Sequence, residues 1–67
     1  MNTFEVKQYG GKKLIIVANK VKHLEEVNDG TIIYLDDGNR THLGTYEHIS
    51  EVRKKLEECL STLRETP

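Results

Sequence analysis

A chain of 67 residues, 36% hydrophobic and 31% charged, sits at the lower edge of what folds alone, where burying enough apolar surface is the limiting problem. Its one cysteine excludes an intrachain disulfide and leaves a metal or assembly as the usual supplement to so small a core. Ten basic residues against eleven acidic ones, a formal net charge of −1, argue against a general nucleic-acid surface, and no apolar run approaches the ~18 residues of a membrane span.

The opening Met-Asn-Thr-Phe-Glu-Val lacks the basic start and long apolar core of a secretion signal, and a single thiol fits a reducing compartment, so the expected location is the cytosol. Phe4 and Val6 alternate within a first strand over about 3–9, and Gly10-Gly11 supplies a turn with free access to positive φ. Leu14-Ile-Ile-Val-Ala18 is apolar on consecutive positions and β-branched, which predicts a strand over about 13–18 covered on both faces. Asn19-Lys20 marks a bend, and a more polar third strand over about 21–27 has its pattern broken near His23-Leu24, the mark of a bulge or an edge.

Thr31-Ile-Ile-Tyr-Leu-Asp36, held between Asp29-Gly30 and Asp37-Gly38, predicts a central strand with Ile32 and Tyr34 on one face and Ile33 and Leu35 on the other. A short fifth strand over about 40–43 follows and ends at Gly44. From Thr45 the period becomes helical. Thr45 reads as the N-cap, and Tyr46, Ile49, Val52, Leu56, Cys59 or Leu60, and Leu63 recur at three and four residues, predicting a helix over about 46–64. Glu51, Lys54, Lys55, Glu58 and Arg64 occupy its other face. The expected fold is α+β in one domain: a twisted antiparallel meander of four or five strands followed by one C-terminal amphipathic helix.

The order of a strand, a glycine turn, an apolar strand, Val21-Lys-His-Leu-Glu-Glu-Val-Asn-Asp-Gly-Thr-Ile-Ile-Tyr-Leu-Asp-Asp-Gly38, a short strand and an acidic helix start resembles the FlbD-type small bacterial proteins associated with flagellar function. The likeness runs over almost the full chain, departing at Gly11-Lys12-Lys13 and Leu14 to Ala18. It implies a protein partner. Val21 to Leu56 also looks like the opening half of a LytTR-type DNA-binding domain, but the downstream basic strand that such domains use on DNA has no counterpart, so DNA binding is carried over to no residue.

Gly10-Gly11-Lys12-Lys13 offers backbone N–H groups and two ammonium charges, without the following helix or the spacing of a P-loop, and Lys20, Lys22 and Arg40 can join it on one sheet edge. His23, His42, His48 and Cys59 lack the short paired spacing of zinc ligands, so no metal or cofactor is expected. Glu25-Glu26 and Asp36-Asp37 are adjacent pairs that face opposite ways on a strand, and a meander of this size offers little concave volume, so no catalytic residue is assigned.

Two strands with apolar side chains on both faces and one helix to cover them leave one face unburied, which predicts a dimer or higher symmetric oligomer. Ile15, Val17, Ile33, Leu35, Leu56 and Leu63 are the expected interface residues. A sheet that curls upon itself is the competing arrangement. The expected function is that of a non-enzymatic, self-associating adaptor or inhibitor that occupies a protein partner. The alternative is a sequestering protein of the kind phages encode, whose oligomer binds a small anionic nucleotide through Lys12, Lys13, Lys20 and Arg40.

Overall fold

The computed structural model describes the backbone of residues 2–65 and the side chains of residues 2–61. Among these residues five antiparallel strands precede one C-terminal α-helix, an α+β fold. The strands are β1 (Thr3–Lys7), β2 (Lys13–Val17), β3 (Val21–Val27), β4 (Gly30–Leu35) and β5 (His42–Thr45), and the helix is α1 (Ile49–Glu65). They divide into a β1–β2 hairpin and a β3–β4–β5 meander. A lone antiparallel bridge, Gln8 to Thr45, joins the two sheets at one corner.

The division comes from Ala18–Lys20, which forms a 3-10 turn at the bend expected for Asn19-Lys20. The Ala18 side chain is buried, its N–H donates to the Asn2 carbonyl at 2.9 Å, and its carbonyl accepts from the Val21 N–H. The chain therefore pivots out of the first sheet before β3 begins. The bulge expected near His23-Leu24 falls between Val21 and His23.

The alternation of β1 holds, with Phe4 and Val6 buried and paired with Ile16 and Leu14 of β2. β2 is not covered on both faces as expected. Ile16 is 3% exposed while its neighbour Ile15 is 63% exposed, because the three-stranded sheet and the helix pack against only one side of the hairpin. The core is Phe4, Val6, Ile16, Ala18, Ile33 and Val52, enclosed between the two sheets and α1. Ile33 is fully buried between Leu24 of β3 and Leu43 of β5, so it cannot serve as an interface residue.

Two turns differ from expectation. Val27 pairs with Gly30, so Asn28-Asp29 is the hairpin loop and Gly30 belongs to β4. Gly30 has φ 154°, and a Cβ there would overlap the Thr45 backbone carbonyl, which leaves no side chain admissible at that crossing. Gly44 does not end β5 but lies inside it, with the Tyr9 ring seated over its Cα where a side chain would otherwise stand.

The helix begins at Ile49, three residues later than predicted, and Thr45 is not its cap. Thr45 closes β5, fully buried, and its hydroxyl oxygen accepts from the Glu47 N–H at 3.2 Å. His48 caps instead: its carbonyl accepts from the N–H groups of Glu51 and Val52, and its Nδ1 accepts from the Ser50 N–H at 3.2 Å. The second buried threonine, Thr31, donates its hydroxyl to the Glu47 carbonyl at 2.9 Å. Both threonines thus hold the peptide that leads into the helix, as buried polar groups must be paired. Val52 is the fully buried anchor of α1, while Leu56, Cys59 and Leu60 are half-buried beside it. Leu63 lies outside the residues whose side chains are described. No helix among the described residues is long and apolar enough to cross a membrane.

Candidate functional site

The outer face of the three-stranded sheet carries rings on three neighbouring strands. Register sets Tyr34 of β4 beside His23 of β3 and His42 of β5. Directly opposed side chains on one sheet face stand within contact range, and here they stack. The His23 and Tyr34 ring centroids are 4.3 Å apart with planes at 27°, and those of Tyr34 and His42 are 5.7 Å apart at 30°. The Tyr34 hydroxyl donates to Glu25 Oε1 at 3.0 Å, which fixes the ring's tilt. Hydrogen bonding to the Glu25 carboxylate, with burial and its negative charge adding, raises the phenol above its ordinary 10.0.

This ladder forms one side of a cleft of about 540 Å³ lined by Lys22, His23, Tyr34, Leu35, Asp36, Gly38, Arg40, Thr41 and His42. The other side is the β4–β5 loop, built around Asp37. Asp37 Oδ1 accepts from the backbone N–H groups of Asn39 (3.0 Å) and Thr41 (3.3 Å). Hydrogen bonds from Thr41 and then Asn39 hold the Asp37 carboxyl below its ordinary 3.8. Arg40 sits at φ 55°, the left-handed region that a long side chain seldom adopts. A hollow of similar volume, about 570 Å³, runs along α1 past Ile49, Arg53 and Glu57, but it is walled by one helix and carries no ring.

Of the four residues expected to bind an anion, only Arg40 borders the cleft. Lys12 and Lys13 lie at the β1–β2 turn, where the Lys12 carbonyl accepts from the Gln8 N–H and Lys13 Nζ stands 3.8 Å from Glu5. Lys20 lines a separate apolar groove with Leu14, Ile15, Val17, Leu35 and Leu43. The expected interface residues separate as well: Ile15, Val17 and Leu35 meet in that groove, Leu56 lies on the half-buried side of α1, and Ile33 is in the core. His48 is used at the helix cap, and Cys59 Sγ donates to the Thr3 carbonyl at 3.3 Å. No group of three or more His, Cys, Asp or Glu side chains converges among the described residues.

The two edges of the β1–β2 hairpin differ sharply. β1 turns Thr3, Glu5 and Lys7 toward α1 and the segment before it. Cys59 takes the Thr3 carbonyl, Lys55 Nζ donates to the Glu5 carbonyl at 2.9 Å, and the Lys7 N–H donates to Glu47 Oε2 at 3.1 Å. The Lys55–Glu47 ion pair ties these contacts together. β2 pairs with β1 alone among the described strands. Since Asn2, Phe4, Val6 and Gln8 fall on the bonded rungs with Ala18, Ile16, Leu14 and Lys12, the antiparallel alternation turns the N–H and C=O groups of Lys13 and Ile15 and the N–H of Val17 to the open side, the Val17 carbonyl being the first acceptor of the 3-10 turn.

The stacked rings went unforeseen because His23, Tyr34 and His42 are far apart in sequence. Their only signal is the register of two hairpins. Comparison with protein-family models, with curated proteins and with solved structures gives no significant match.

Proposed function

We propose that the protein is a non-enzymatic, self-associating binding module, an adaptor or inhibitor of the cytosol that acts by occupying a protein partner. The observation that carries the self-association is the β2 edge. Natural sheets guard their edges with charge, bulges or cover. β3 has Lys22, His23, Glu25 and Glu26 exposed and a bulge at Lys22, and β1 is covered by α1 and Glu47. β2 carries one such guard, the exposed Lys13 at its start, while Leu14-Ile15-Ile16-Val17 beyond it has neither charge nor bulge, and Ile15 is the most exposed large hydrophobic side chain described.

A second copy turned antiparallel about Ile15 pairs the Ile15 N–H and C=O of each copy with those of the other, sets each Val17 N–H against a Lys13 C=O, and covers Ile15 with its own image, an isologous contact. The apolar groove of Leu14, Leu35 and Leu43 continues that surface. The likeness of the order of elements, over almost the full chain, to FlbD-type flagellar proteins supports a protein as the partner. The Tyr9 and Tyr46 rings, edge to face at 4.5 Å and both exposed, supply aromatic surface of the kind that anchors interfaces. Sedimentation equilibrium at low micromolar concentration tests the assembly: the parent chain should sediment as a dimer or larger and Ile15→Lys as a folded monomer. A parent that sediments at 7.7 kDa overturns the reading.

A further inference from the structure

We infer that the cleft between the His23–Tyr34–His42 ladder and the β4–β5 loop binds a nucleotide, with the base against the rings and a phosphate at Arg40 and Lys22. This site lies in a single subunit and stands whether or not the chain self-associates.

Three observations converge on that chemistry. The rings of His23, Tyr34 and His42 already stack on one another across three strands, and the two outer imidazoles are exposed. Base-on-ring stacking is tolerant of base identity because every base has a π-face. Next, two cations, Lys22 and Arg40, line the cleft beside this ladder. A guanidinium presents paired donors that match phosphate oxygens. Last, about 540 Å³ lies within the ~300–1,000 Å³ of small-ligand sites, and the lining combines rings with a few polar groups.

Charge selects the size of the ligand. Asp36 lines the same cleft, Asp37 stands in its loop wall and Glu25 is bonded to the Tyr34 hydroxyl, so Lys22 and Arg40 share the neighbourhood with three carboxylates. Affinity for a strand grows with the number of phosphates neutralised, and a chain of net charge −1 with two cations at the site is matched to one nucleotide. A nucleotide unit at the end of a single strand offers the same base and phosphate, and the experiment separates the two sources.

The test is NMR titration of the full chain with four nucleoside diphosphates in turn, with ribose 5-phosphate, and with an oligothymidylate. The expected result is that at least one diphosphate shifts the ring resonances of His23, Tyr34 and His42 with a Kd below about 1 mM, whereas ribose 5-phosphate leaves them unmoved. Arg40→Asn keeps a residue that accepts the left-handed conformation and should weaken the binding about tenfold while the remaining spectrum stays that of the folded chain. Tighter binding of the oligothymidylate through the same rings upholds the site and assigns the nucleotide to a strand end. Unmoved ring resonances with every diphosphate and with the oligothymidylate overturn the proposal, as does equal binding of ribose 5-phosphate.

Discussion

Replacing Ile33 by alanine probes the core at the point where both sheets and the helix meet. Ile33 is fully buried on the central strand of the meander, between Leu24 and Leu43. The change removes three carbons, worth about 0.8 kcal/mol each in lost transfer free energy, and leaves a cavity that β4, held on both edges, cannot close. The expected cost is about 3–4 kcal/mol. A domain of this length has a total stability of about 3–10 kcal/mol, so Ile33→Ala brings the fold to its limit. Ile32→Ala makes the same chemical change one residue away on the half-buried outer face and should cost about 1 kcal/mol. Urea denaturation of both at one protein concentration reads the difference, with Ile33→Val, expected near 1 kcal/mol, as a graded variant if Ile33→Ala does not fold. Equal losses for Ile32→Ala and Ile33→Ala, or a loss under about 1 kcal/mol for Ile33→Ala, would refute the assignment of the two faces of β4.

The Tyr34 phenol should titrate above 10.0 by ultraviolet absorbance, and Glu25→Gln should bring it down; an unchanged midpoint would remove the carboxylate as the cause. For Asp37 the folded value is depressed, so the unfolded chain binds the proton more readily. Its contribution is present above the unfolded value and is lost as the pH falls through the folded one, below 3.8. The carboxyl carbon shift of Asp37 should therefore move with a midpoint below 3.8, and a midpoint at or above it would show that the Asn39 and Thr41 hydrogen bonds do not hold the loop in solution.

The elements themselves were legible because their signals are local. Phe4 and Val6 alternate, β4 is an apolar run between turn residues, and Ile49, Val52, Leu56 and Cys59 keep a helical period. The helix start was misread because Thr45, the better cap by side-chain type, is occupied in a turn with Glu47 and leaves the capping to a histidine. Apolar periodicity also cannot say which side of a strand is covered, so Ile15 and Ile16 read alike though one is exposed and the other buried. Nor does it say which strands pair: the pivot at Ala18 depends on a hydrogen bond to Asn2 that only the closed hairpin provides. Arg40 was found by its charge. The rings beside it needed the register, which is a property of two hairpins together.

The side-chain straps between β1 and α1 join residues at opposite ends of the chain: Asn2 to Cys59, Cys59 to Thr3, and Lys55 to Glu5, separated by 57, 56 and 50 positions. A ribosome adds about 5–20 residues per second, so β1 is made roughly 3–11 s before the helix turn that satisfies its outer edge. Once β2 is complete at Val17, the β1–β2 hairpin is open along both sides for roughly the last 2–8 s of that interval, and a hairpin alone is marginally stable in water. The nascent chain, rather than the finished one, is where this protein is most exposed to capture by a neighbouring strand. The arrival of Lys55 and Cys59 closes one of the two edges for good.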